Sequence, residues 1–142
     1  MGHSTTVFGG VGFTAKDWKL ELWLNLLARE VDKVTKPPSW LMTIRDYWRQ
    51  QAKLSINGCI DAGLDAFLTD RQRVAVVRNL AQQVFNSLLH FGERVPHDFL
   101  NDVCQPPPSC EWSQDVETEL FLGYGRALLK LLDGKMTHHE FA

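Results

Sequence analysis

Residues 37–68, PPSWLMTIRDYWRQQAKLSINGCIDAGLDAFL, carry the reading on which the fold class turns. Pro37-Pro38 stops whatever helix precedes it, since proline lacks an amide donor and restricts the residue before it. Ser39 can cap a new helix, and no further proline interrupts the stretch. Apolar or small residues then recur at helical spacing through Leu41, Ile44, Trp48, Ala52, Ile56, Cys59, Gly63 and Phe67. Continuous, such a helix is roughly 45 Å long, enough to span a small domain. Small side chains at Ser55, Gly58, Cys59, Ala62 and Ala66 would let neighbouring helices come close. Gly58 and Gly63 each cost a helix about 1 kcal/mol against alanine. Asn57-Gly58 is also a turn signal, so a break there is the alternative.

Upstream, residues 1–13 are glycine-rich with scattered Val7, Phe8, Val11 and Phe13, and read as a tail laid against the body. The GGVG run lacks the lysine and hydroxyl residue of a phosphate loop. Thr14 can cap a helix from Ala15 to about Thr35 with a stripe of Leu20, Trp23, Leu24, Leu27, Val31 and Val34. A second, narrower stripe holds Trp18, Leu22 and Leu26. One partner layer needs only one stripe. The second implies burial on two sides or an exposed patch that meets another protein, in the simplest case a second copy.

Downstream, Thr69-Asp70-Arg71-Gln72 fits a capping box, followed by Val74, Val77, Leu80, Ala81, Val84, Leu88 and Phe91 with Gly92 as terminator. Pro96 can open a short helix, HDFLNDVC. Gln105 to Ser109 is a stiff proline connector. Ser113 can cap a last long helix with Val116, Leu120, Tyr124, Ala127, Leu128 and Leu131 inward. Asp115, Glu117 and Glu119 would sit in its first turns, beside the positive end of the dipole. Gly123 and Gly125 flank Tyr124 and suggest close approach to another helix. Residues 135–142 read as a C-terminal tail. The expected fold is all-α: one domain over 1–142, an irregular bundle of about five helices around the long central one.

Composition narrows the function classes. The chain has 142 residues, 44% hydrophobic and 23% charged, with a formal net charge of -2. A real core is expected, and no overall attraction to nucleic acid or anionic membrane. No apolar run reaches the ~18 residues of a membrane span, and the start lacks the pattern of a secretory signal. Three cysteines (Cys59, Cys104, Cys110) are an odd count, with Cys104 and Cys110 held apart by prolines. Reduced thiols in a cytoplasmic protein follow from that reading.

Specific chemistry is thinly signed. His90, His97, Asp98, Asp102, Cys104, Cys110 and His138-His139-Glu140 show no metal-ligand spacing, so no metal or cofactor is expected. Leu68-Thr69-Asp70-Arg71-Gln72-Arg73 resembles the opening of the helix-turn-helix in LuxR-type regulators. The resemblance covers six residues, after which the helical period runs on without a turn, and the basic stripe of a DNA reader is missing. No nucleophile motif appears. A small enzyme would have to draw on His97, Asp98, Asp102 or Tyr124.

Charge is distributed less evenly. Between residues 93 and 119 lie Glu93, Asp98, Asp102, Glu111, Asp115, Glu117 and Glu119, opposed by Arg94, with Trp112 among them. Acidic groups speed encounter with a basic protein and a buried aromatic supplies affinity. The expected function is therefore a non-enzymatic binding module for a positively charged protein. Its partner surface would comprise Asp98, Asp102, Glu111, Trp112, Asp115, Glu117 and Glu119. Small acidic inhibitors of bacterial toxins, such as nuclease immunity proteins, share this profile of size and charge. A homodimer through Trp18, Leu22 and Leu26 is the scaffold alternative.

Overall fold

In the computed structural model, which describes residues 2–54, 58–104 and 111–142, the chain opens with strands rather than a tail. Strands β1 (His3–Phe8) and β2 (Val11–Lys16) form an antiparallel hairpin. Helices α1 (Asp17–Asp32), α2 (Ser39–Ala52), α3 (Leu64–Phe67) and α4 (Arg71–Leu89) follow. Then come β3 (Arg94–Val95), α5 (His97–Val103), β4 (Val116–Glu117), α6 (Thr118–Leu132) and β5 (Glu140–Phe141). The described residues thus form six helices and two small sheets, a mixed α/β architecture. The all-α expectation is overturned.

The hairpin escapes a reading by hydrophobic pattern because the inward residues of its first strand are polar, although Phe13 and Ala15 of β2 are buried in the core. Ser4 and Thr6 are buried, while Val7 points outward at 44% exposure. Each buried hydroxyl has a partner: Ser4 Oγ donates to Asp17 Oδ1 at 2.6 Å, and Thr6 Oγ1 bonds Tyr124 Oη at 3.1 Å. Gly9-Gly10 form the two-residue connection, both at positive φ (63° and 85°), as the tightest hairpin turns demand. The supposed C-terminal tail is likewise structured. Its β5 pairs in parallel with β2, Phe13 opposite Glu140 and Thr14 opposite Phe141, closing a sheet of order β1-β2-β5.

The long central helix is also corrected. Helix α2 ends at Ala52, residues 55–57 lie outside the described residues, and regular helix resumes only for one turn in α3. Gly58 and Gly63 take φ of 67° and 70°, left-handed values that no α-helix interior contains. Trp48 anchors the returning chain, its indole N–H donating to the carbonyl of Ala62 at 2.9 Å.

The organising helix is α1. It packs against α2, α4, α5, α6 and the hairpin. Leu20, Leu22, Trp23, Leu24, Leu27, Ala28 and Val31 are all buried, so apolar side chains surround most of its circumference, as in a helix enclosed by the core. Its start is Asp17, later than expected, because Ala15 and Lys16 belong to β2. Helix α4 runs unbroken for 19 residues, capped by the Asp70 carboxylate accepting from the Arg73 amide at 2.9 Å, one residue after Thr69. No turn divides it as a helix-turn-helix would require. Helix α5 follows Pro96 as expected. Helix α6 begins at Thr118, since residues 116–117 are taken by β4, and only Glu119 of the acidic residues lies in its first turn. None of the helices is long and apolar enough to cross a membrane, among the described residues.

Candidate functional site

The β3–β4 ladder positions the acidic stretch. Arg94 stands opposite Glu117 and Val95 opposite Val116, with Val95 fully buried as the anchor. Just before β4, the Trp112 peptide is held at both polar atoms by one side chain from α5. Asn101 Oδ1 accepts the Trp112 N–H at 2.7 Å, and Asn101 Nδ2 donates to the Trp112 carbonyl at 2.9 Å. This amide imitates the edge of a neighbouring strand. The Trp112 indole then meets Trp18 edge-on (5.9 Å, 80°) and Phe121 (6.4 Å, 64°), while Trp18 and Phe121 are perpendicular at 5.5 Å. The ring is fixed by aromatic packing and its peptide by hydrogen bonds.

Above it lies an open groove of about 590 Å³ with Trp18, Trp112 and Leu120 among its apolar lining. Glu111, Asp115, Glu117 and Glu21 supply its carboxylates, Lys16 and Arg94 its cations. A second groove of about 440 Å³ shares Arg94 and Glu117 and adds Glu93, Thr118 and Glu119. Together the two surfaces hold six carboxylates against two cations among the described residues.

Four of the seven expected partner residues (Glu111, Trp112, Asp115, Glu117) thus share one groove, and Glu119 lies in the adjoining one. Glu119 is gripped by Arg126, which holds its carboxyl below the usual range. Asp98 points outward, 3.4 Å from His97 Nε2. Asp102 is engaged elsewhere, with Arg29 at 3.1 Å, and does not join the groove. Trp18, assigned to a dimer stripe from sequence, proves to be part of the groove floor. Leu22 of that stripe is fully buried, and Leu26 lines a small cavity between α1, α4 and α5. Of the stripe, Leu22 belongs to the core, while Trp18 and Leu26 are half-buried at its edge. Leu120, expected inward, is 39% exposed in the groove. Asn101 carried no sequence signal at all, since a lone asparagine on a short helix predicts nothing about what its amide will hold.

His97 and Asp115 form the electrostatic hinge of the groove. Asp115 Oδ1 accepts from the His97 backbone N–H at 3.0 Å and from ring Nδ1 at 2.7 Å. The side-chain bond to Asp115 raises the His97 pKa, helped by the charges of Asp98 and Glu111. Hydrogen bonds from His97 lower that of Asp115. The signs define a window. A raised imidazole favours folding fully below its unfolded pKa of about 6.5 and loses that contribution as pH rises through the folded value. A depressed carboxyl contributes above its unfolded pKa of about 3.9 and loses it as pH falls through the folded value. An NMR titration should show the His97 pKa falling in Asp115→Asn; an unchanged value would break the assigned pairing.

The other catalytic and metal candidates do not assemble among the described residues. Tyr124 is buried against Phe13 and Trp23, with its hydroxyl pushed up to about 12 by desolvation. Cys104 is buried and its thiol is pushed up to about 12, chiefly by desolvation. Cys110 and the proline connector lie outside the described residues. Among the described residues no three histidine, cysteine or acidic side chains are grouped to hold a metal. The chain matches no protein-family model, and comparison with curated proteins and with solved structures finds no match.

Proposed function

We propose that this is a non-enzymatic, cytoplasmic binding protein that captures a basic partner protein in the Trp112 groove, in the manner of an immunity-type toxin inhibitor. The observation that supports it is the rigid indole floor framed by carboxylates. Trp112 loses little freedom on binding because Asn101, Trp18 and Phe121 already hold it. Preorganised aromatic anchors of this kind suit the centre of an interface. The surrounding carboxylates provide long-range attraction in a chain whose formal net charge is only -2.

The test is affinity capture on the full chain, followed by association kinetics with the captured protein. A basic protein that elutes with rising salt is expected, and the double variant Glu111→Lys/Glu117→Lys should slow its association about tenfold or more. Capture of no basic protein, or unchanged kinetics in the reversed variant, would sink the proposal.

A further inference from the structure

The groove narrows the chemistry of what it can seat, on the reading that it is the partner site. Its floor is aromatic, and an indole face attracts cations through its quadrupole. The protein already uses its rings this way: the Arg73 guanidinium lies 5.0 Å from the Trp40 ring, and Lys19 Nζ lies 5.5 Å from the Trp18 ring. With Trp18 so occupied, Trp112 is the ring of the pair left for an external cation, among the described residues.

The carboxylates sort in the same way. Asp115 is held by His97 and Glu119 by Arg126. Glu111 and Glu117 line the groove beside Trp112 without an ion pair among the described residues, and Arg94, opposite Glu117 in the ladder, forms none either. An independent feature lies next to them. Thr118 lines the adjoining groove, is 2% exposed, and its hydroxyl has no hydrogen-bond partner among the described residues. A buried polar group in that state is stabilised by a ligand that supplies the missing bond.

We propose that the groove seats an arginine of the partner, its guanidinium stacked on Trp112 and its N–H fork shared between Glu111 and Glu117. A further donor of the same segment satisfies the Thr118 hydroxyl. A lysine would fit less well. Its ammonium is a compact, strongly hydrated point charge that cannot stack in a plane or bridge two carboxylates through a fixed fork.

The experiment titrates the isotopically labelled full chain with tetraarginine amide and with tetralysine amide, following the tryptophan indole N–H resonances. Tetraarginine should bind roughly fivefold tighter or better, with the Trp112 signal moving most. The preference should vanish in Trp112→Leu and survive in Trp112→Phe, and Glu117→Gln, which leaves the floor intact, should weaken both peptides. Equal affinity for the two peptides, still weakened by salt and by Glu111→Lys/Glu117→Lys, would overturn the arginine assignment and leave the acidic-groove reading standing. A preference that persists in Trp112→Leu would also overturn it. If neither peptide moves any groove resonance, both the assignment and the groove reading fall.

Discussion

Gly125→Val is expected to cost the fold about 3 kcal/mol, a fall of roughly 10 °C in Tm for a chain of this size. A Cβ at Gly125 would stand 2.5 Å from Trp23 Cζ2 and 2.8 Å from Phe85 Cδ2. The Trp23 ring cannot yield cheaply. Trp23 is fully buried, with its indole N–H donating to the Phe121 carbonyl at 2.9 Å, so its plane is fixed on α6 itself. Gly125→Ala meets the same rings with one carbon, and overpacking of about 1–3 kcal/mol is only partly offset by about 1 kcal/mol of helix propensity. At Gly123, two residues earlier, an added Cβ meets nothing within 4 Å. Gly123→Ala should therefore gain up to about 1 kcal/mol. Thermal unfolding of the three variants checks the order: Gly123→Ala at or above wild type, then Gly125→Ala, then Gly125→Val. A tolerated valine at position 125 would mean that α1 and α6 are not packed this closely.

Asp17→Ala is expected to lose about 2–4 kcal/mol, because a buried donor stripped of its acceptor keeps the whole desolvation penalty. Asp17 is 1% exposed and sits where the hairpin, α1 and the segment after residue 57 meet. Its carboxylate accepts from Ser4 Oγ at 2.6 Å and from the Gly58 N–H at 2.8 Å. Ser4 Oγ in turn accepts the Ile60 N–H at 3.0 Å. Truncation at position 17 leaves the first two donors unsatisfied and frees the hydroxyl that holds the third. Urea unfolding should show the loss, and amide exchange at Gly58 and Ile60 should accelerate well before the core opens. Wild-type stability with slow exchange at those amides would show that the latch does not hold the hairpin.

Legibility followed the physics of each element. Helix α4 was readable because its apolar residues sit on one face, and it closes at Leu89, in the turn before Gly92 at φ of 75°. Helix α5 was readable from Pro96. Strand β1 was unreadable by hydrophobicity, since Ser4 and Thr6 face inward and are satisfied by Asp17, beyond the hairpin, and by Tyr124, far along the chain. Gly9-Gly10 between two short runs, with Val11, Phe13 and Ala15 alternating after it, was the local signal that could have found the hairpin. The apparent period through residues 39–68 held as far as Ala52. Beyond that the stripe fails: Cys59 is exposed, and the buried hydrophobic residues of the described loop are Ile60 and Ala62, which lie off its spacing.

The acidic character of residues 93–119 was determined by the sequence alone, as was the presence of an aromatic side chain among those acids. Charge is a property of composition and survives any fold. The tertiary structure decided which of these groups act together. Pairing of β3 with β4 and the grip of Asn101 on Trp112 brought Glu111, Asp115 and Glu117 to one groove, while Arg29 drew Asp102 away. It likewise decided that Trp18 belongs to the floor of that groove and Leu22 to the core, because α1 is enclosed on most of its circumference. Neighbours across a fold are set by pairing and packing between distant segments, and linear spacing carries no record of them.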